Sequence, residues 1–108
     1  MSSNVPVART LRLVHISINF QREHDTEAIK KTFGKAIDWI YYMPNCWLVL
    51  TSSSTERWYA RLLPLLGDDD TMLISEVRPN DLCGWLGRWV IDWIDKAQEK
   101  ITKSKEPS

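Results

Sequence analysis

Residues 11–20 read LRLVHISINF, and this stretch decides the fold of the chain. It is rich in β-branched and large apolar side chains, which are typical of a β-strand. Because side chains alternate across a strand, Val14, Ile16 and Ile18 share one face. His15 lies on the opposite face, among smaller polar side chains. One apolar and one mixed face predict a central strand with helices packed on its apolar side.

The rest of the chain supplies six further elements around this strand. They are predicted as a helix at 25–35, strands at 37–43 and 46–52, a helix after 53–56, a strand at 71–77 and a helix at 82–102. Ser53 and Glu56 have the spacing of a capping box, and Pro64 is expected to end the helix that they begin. The order β-α-β-β-α-β-α matches the ferredoxin-like βαββαβ sheet with an additional C-terminal helix. The predicted fold class is therefore α+β.

Length and composition indicate one small domain. The chain has 108 residues, and its 14 basic side chains balance its 14 acidic ones. A dedicated binder of the nucleic-acid backbone usually carries a basic excess, so any such binding has to rely on clustered charges. No apolar run approaches the roughly 20 residues that a membrane helix needs. We expect a cytoplasmic protein without membrane association, with a flexible leader at 1–10, a domain at 11–102 and a polar tail at 103–108.

Six tryptophans are many for a core of this size. Trp85, Trp89 and Trp93 recur at helical spacing in the last predicted helix. Such a stripe usually packs against the core, although it can also stack nucleic-acid bases. We interpret it as packing. Cys46 and Cys83 form no CxxC motif, so they are interpreted as reduced, buried thiols and no metal site is predicted.

The sheet face opposite the two first helices has to be solvated, covered by the last helix, or buried in a partner. Large apolar side chains are predicted to lie there among small polar ones, which indicates self-association. A two-fold homodimer is the commonest form of such an assembly. The predicted dimer interface consists of His15, Ser17, Asn19, Trp47, Val49 and Leu73.

Four segments carry a resemblance to a known family. They are VHISIN at 14–19, NCWLV at 45–49, DDDTMLISEV at 68–77 and GWL at 84–86. The pattern resembles the SinR-like and VapD-like relatives of the CRISPR-associated adaptation subunit Cas-two, and it covers residues 11–95. These relatives are small ferredoxin-like homodimers. The resemblance implies a dimeric, nucleic-acid-associated protein.

The same resemblance singles out Asn19. In the nuclease members, an Asp at the end of the first strand of each subunit holds a divalent metal at the dimer axis. The matching position here is Asn19, whose amide oxygen lacks the charge that a hard cation needs. Asn19 and, as a lone histidine on the mixed face, His15 are the catalytic candidates. The resemblance therefore implies a protein without an intact metal-binding Asp.

Three arginines are the predicted nucleic-acid contacts. Arg57 and Arg61 lie one turn apart on the second helix, and Arg88 lies beside the tryptophan stripe. Two alternatives stay open. One is a toxin-like endoribonuclease, whose cofactor would be Mg²⁺ or Mn²⁺. The other is a non-catalytic protein-interaction subunit that docks through its tryptophans. The main interpretation requires no cofactor.

Overall fold

The computed structural model describes residues 10–105, so residues 1–9 of the leader predicted at 1–10, and residues 106–108 of the tail predicted at 103–108, lie outside the described residues. The elements are β1 (Arg12–Asn19), α1 (Thr26–Phe33), β2 (Asp38–Met43), β3 (Cys46–Thr51), α2 (Thr55–Leu62), β4 (Thr71–Val77) and α3 (Arg88–Lys105). A 3₁₀ turn at Leu63–Leu65 contains Pro64 and follows α2, as expected from the missing backbone donor. Residues 103–105 were predicted as tail but continue α3.

The strands form one antiparallel sheet in the order β2-β3-β1-β4. β1 is a central strand, as its composition predicts. Its Ile16 lies opposite Trp47 of β3 on one side and Ile74 of β4 on the other. The α+β class predicted from the sequence is confirmed.

The first face of the sheet packs against α1 and α2. Its buried cluster consists of Val14, Ile16, Ile18, Ile29, Phe33, Trp47, Val49, Trp58 and Leu62. Phe33 lies at the centre, with its ring stacked 5.0 Å from Trp47 and 5.8 Å from Trp58. Stacked aromatic side chains bury large apolar areas and add geometry-dependent attraction. These contacts place α2, and the arginines on it, beside the sheet.

The second face of the sheet packs against α3. Val90, Ile94, Ala97 and Ile101 of the helix cover Leu13, Leu48 and Leu50 of the sheet. The described part of the chain therefore has three layers, with α1 and α2 on one side of the sheet and α3 on the other. None of its helices is long and apolar enough to cross a membrane.

The predicted location of Trp47 and Val49 on the face of His15 is wrong. Partners across an antiparallel pair point to the same side, and Val49 pairs with Val14 as Trp47 pairs with Ile16. Both side chains are buried in the first cluster instead. Trp47 to Thr51 are all buried, because both sheet faces are covered there. The sequence of β3 therefore does not alternate between apolar and polar residues, and it does not indicate which side chains point to which face.

The last helix begins at Arg88 and not at residue 82. Residues 82–87 before it have no regular secondary structure, and Trp85 among them is completely exposed to solvent. Trp89 is also exposed, so the interpretation of the tryptophan stripe as packing is wrong for both side chains. Trp93 is half-buried, and its indole Nε1 donates to Asp38 over 3.0 Å. Cys83, predicted to be buried, is exposed as well.

The cap of α2 is Ser54, one residue later than predicted. Its hydroxyl accepts a hydrogen bond from the backbone N–H of Arg57 over 3.1 Å. We expect Ser54→Ala to lower the free energy of unfolding by about 1 kcal/mol, because an orphan helical N–H loses its acceptor. Chemical denaturation measures this change. Ser53→Ala is the matched control, and an equal loss for both variants would contradict the assignment.

Candidate functional site

A cavity of about 720 Å³ opens where β1 begins, β3 ends and α2 starts. Four cationic side chains line it, namely Arg12, Lys35, Arg57 and Arg61. Thr10, Ile37 and the hydroxyl-bearing residues 51–54 complete its walls. We call this cavity the cationic pocket. Its size falls within the range of pockets that bind small ligands, about 300–1,000 Å³.

The fold brings these four cations together from three separate segments. Arg12 opens β1 and lies opposite Thr51, the last residue of β3. Lys35 follows the end of α1. Arg57 and Arg61 occupy successive turns of α2, whose N-terminus points toward the same space. The burial of α1 and α2 on the first sheet face therefore determines which charges meet.

Arg61 is held in an environment that disfavours a bare cation. Its guanidinium carbon lies 4.8 Å from the ring centre of the buried Trp58, in a cation–π contact. Its Nη1 atom is buried and has no hydrogen-bond partner among the described residues. Burial, together with the neighbouring charge of Arg57, lowers the pKa of Arg61. A bound anion would offset the repulsion between these two cations.

Carboxylates do not neutralise the pocket. Within residues 10–105, no Asp or Glu lines it. Arg12 does form an ion pair with Glu76 of β4, over 3.3 Å, but Glu76 lies outside the lining. The other three cations have no ion-pair partner in the described part of the chain. The arrangement can attract and hold an anion.

Two of the three predicted nucleic-acid contacts meet in this pocket. Arg57 and Arg61 line it, whereas Arg88 does not. Arg88 begins α3 on the other side of the sheet and lies 3.5 Å from Asp92. α3 has 18 residues and is thus about 27 Å long. Its far end contacts the start of β1 through Ser104, so Arg88 lies far from the pocket.

The predicted dimer-interface residues divide between two faces. His15, Ser17 and Leu73 share the second sheet face, and Leu73 pairs with Ser17. Asn19 ends β1 on the same side and is exposed. Leu73 is 68% exposed, because α3 covers only the other half of this face. Trp47 and Val49 are buried on the first sheet face, so they do not belong to the exposed surface through which a second copy could bind.

The catalytic candidates do not converge on an acid–base pair. His15 Nε2 shares a hydrogen bond with the hydroxyl of Tyr42. Burial lowers the pKa of His15 and raises that of Tyr42, so both groups are neutral near pH 7. Over residues 10–105, no three His, Cys, Asp or Glu side chains lie close enough together to hold a metal ion.

Because its pKa is lowered, His15 makes stability depend on pH. Below its ordinary pKa of 6.5 the unfolded chain takes up a proton that the folded chain resists. We expect its contribution to be constant above about pH 6.5 and to decrease as the pH falls toward the lowered pKa. Urea unfolding between pH 7.5 and pH 5 measures this slope. His15→Gln should reduce the slope and His24→Gln should retain it. A native slope that is unchanged by His15→Gln would contradict the assignment.

The acidic turn at 68–70 has a structural role. Asp70 accepts hydrogen bonds from the backbone N–H groups of Gln21, over 2.7 Å, and Gly67, over 2.8 Å. These bonds lower the pKa of Asp70. Asp69 forms an exposed ion pair with Arg22 over 3.3 Å. The turn therefore ties the end of β1 to the start of β4.

Sequence reasoning missed Arg12 and Lys35 as members of the site. Arg12 opens a mostly buried strand, and Lys35 follows a helix, so neither has a local pattern that marks it. The pairing of Arg12 with Thr51 would have been the useful signal, but it depends on strand register.

Comparison of the chain with protein-family models, with curated proteins and with solved structures finds no match.

Proposed function

We propose that this protein is a non-catalytic, homodimeric nucleic-acid-binding protein of the Cas-two-like, SinR-like kind. The cationic pocket is the observation that carries the proposal. Four cations without a lining carboxylate form a favourable site for phosphate, since neutralising phosphate charge drives nucleic-acid affinity. Because the chain has zero net charge, its attraction for phosphate has to come from a local cluster of cations such as this one.

The sheet supports the proposed ferredoxin-like relationship. Read from the other edge, the strand order is β4-β1-β3-β2, with helices after β1 and β3. This is the order expected when two βαβ units, each split by a strand of the other, share one antiparallel sheet. α3 is the additional C-terminal element. The family assignment rests on the four sequence segments together with this topology.

The dimensions of the pocket favour single-stranded nucleic acid. A cavity of about 720 Å³ holds a phosphate and parts of one nucleotide, whereas a rigid duplex is too wide to enter it. A flexible single strand can place one phosphate within it. We therefore propose single-stranded RNA or DNA as the ligand.

The uncovered half of the second sheet face supports the homodimer. Leu73 and Met43 are exposed there, beside the half-buried Ser17. An exposed apolar patch on a sheet is typical of an interaction surface. A two-fold axis near β1 and β4 would bury this patch against itself.

A second candidate function is a protein-interaction subunit. Trp85 and Leu82 are exposed on the segment 82–87, which precedes α3. Both line a mostly apolar cavity of about 510 Å³. Exposed tryptophans are enriched at the energetic centres of protein interfaces. This role is compatible with nucleic-acid binding, because the two sites lie on opposite sides of the sheet.

The proposal is tested by incubating labelled single-stranded RNA, single-stranded DNA and duplex DNA with the protein, in Mn²⁺ or in EDTA. We expect the single strands to be bound and to remain intact under both conditions. Asn19→Asp is the informative variant, and cleavage that appears only in this variant supports the proposed family relationship. Metal-dependent cleavage by the native chain that is lost in Asn19→Ala would refute the non-catalytic assignment.

A further inference from the structure

We propose that the cationic pocket binds the terminal phosphomonoester of a nucleic-acid strand in preference to the phosphodiesters within the strand. The inference rests on the proposed function and names the part of the ligand that enters the pocket. Three properties of the pocket carry it: its shape, its charge and its hydroxyl groups.

The shape of the pocket suits a strand end. Its walls come from the start of β1, the segment after α1, the β3–α2 connection and α2 itself. Cations that surround a cavity differ from a stripe of cations along one helix, which follows a continuous backbone. A phosphodiester within a strand needs a path into the cavity and a path out of it. A terminal phosphate needs only one.

The charge of the pocket suits a dianion. A phosphomonoester has a second pKa near 6, so it carries about −1.5 to −2 charges at pH 7. A phosphodiester carries one negative charge and has only two unesterified oxygens. The third free oxygen of the monoester can accept a further hydrogen bond from the guanidinium of Arg61, which lines the pocket. Arg57, one turn earlier, supplies further donors on the same wall.

The hydroxyl groups of the pocket are available as donors. Thr51 Oγ1 accepts from the indole N–H of Trp58 and from the backbone N–H of Ser53. Ser54 Oγ accepts from the backbone N–H of Arg57. Because each oxygen is used as an acceptor, its own hydrogen is left to donate to a ligand oxygen. Both residues line the pocket, but Thr51 is only 2% exposed, so Ser54 is the one whose hydrogen can donate to a phosphate there.

One apolar side chain completes the fit to a nucleotide. Ile37 lines the pocket and is 61% exposed, which leaves an apolar surface beside the cations. The sugar or base of the terminal nucleotide can pack on it. The pocket thus pairs a phosphate subsite with a surface for the attached nucleoside.

Fluorescence anisotropy at pH 7 tests the inference with one single-stranded sequence prepared in three forms. The forms carry a 5′-phosphate, a 3′-phosphate, or hydroxyls at both ends. We expect one phosphorylated form to bind at least about tenfold more tightly than the hydroxyl form. This preference should shrink at pH 5, where the monoester becomes a monoanion. Arg61→Gln should abolish the preference, and Arg88→Ala, which removes a distant arginine, should retain it.

The outcomes separate the inference from the function on which it rests. Equal binding of all three forms overturns the inference and leaves nucleic-acid binding intact. Failure of every oligonucleotide to bind overturns the proposed function as well. A nucleoside 5′-monophosphate is added as a competitor. If it binds as tightly as the phosphorylated strand, the pocket is a site for free nucleotides and the assignment to a strand end is wrong.

Discussion

Replacing Trp47 with alanine is expected to lower the free energy of unfolding by about 3–5 kcal/mol, the usual cost of emptying a buried aromatic site. Trp47 is only 7% exposed. Its ring lies 5.0 Å from that of Phe33 and 4.9 Å from that of Tyr41. Truncation leaves a cavity between α1 and the β2–β3 hairpin that the neighbouring rings cannot fill. Urea denaturation followed by circular dichroism measures the change.

Trp85→Ala is the matched control, since it removes the same side chain from a completely exposed position. We expect it to change the free energy of unfolding by less than about 0.5 kcal/mol. Comparable losses for Trp47→Ala and Trp85→Ala would contradict the location of Trp47 in the core.

Protein concentration distinguishes a core role for Trp47 from an interface role. The stability of a dimer depends on protein concentration, because association favours the folded state by mass action. If Trp47 acts only within the core, the loss caused by its truncation is the same at every concentration. A loss of stability that appears only at high concentration, where the native chain is dimeric, would show that Trp47 lies in the dimer interface.

The second large effect concerns the two arginines of α2. Replacing Arg57 and Arg61 together with glutamine is expected to weaken the binding of single-stranded nucleic acid by about a hundredfold at low salt. Hydrogen bonds to charged groups contribute about 1.5–3 kcal/mol each, and 1.4 kcal/mol corresponds to a factor of ten. Glutamine keeps part of the aliphatic stem of Arg61 over Trp58, so the variant should remain folded.

The dependence of affinity on salt tests the mechanism behind this loss. Each phosphate of a single strand that a protein cation neutralises contributes about −0.7 to the slope of the logarithm of the binding constant against the logarithm of the salt concentration. Because the pocket holds one phosphate, the double variant should have a slope shallower by about 0.7. Arg88→Ala should retain the native slope, because Arg88 lies at the far end of α3. A double variant with native affinity and native slope would show that the cationic pocket does not contact phosphate.

Local sequence patterns predicted most of the elements correctly. β4 occupies residues 71–77 as predicted, and Asp25 caps α1 through a hydrogen bond from the N–H of Ala28. Pro64 ends α2 because it lacks a backbone donor. Each of these features depends on neighbours within one or two turns of the chain, so the sequence contains the information that is needed. The start of α3 was missed because a tryptophan spacing typical of a helix continues into residues 82–87, which have no regular secondary structure.

The sequence by itself determined a small α+β chain with a buried central strand and two arginines one turn apart. Only the tertiary structure decided which other residues lie next to this strand and these arginines. The register of β1 against β3 placed Trp47 and Val49 in the core, because cross-strand partners share a face wherever they lie along the chain. The same register put Arg12 beside Thr51, and the packing of α1 and α2 brought Lys35 to Arg57 and Arg61. A site whose charges come from three segments exists only once long-range pairing has set their distances.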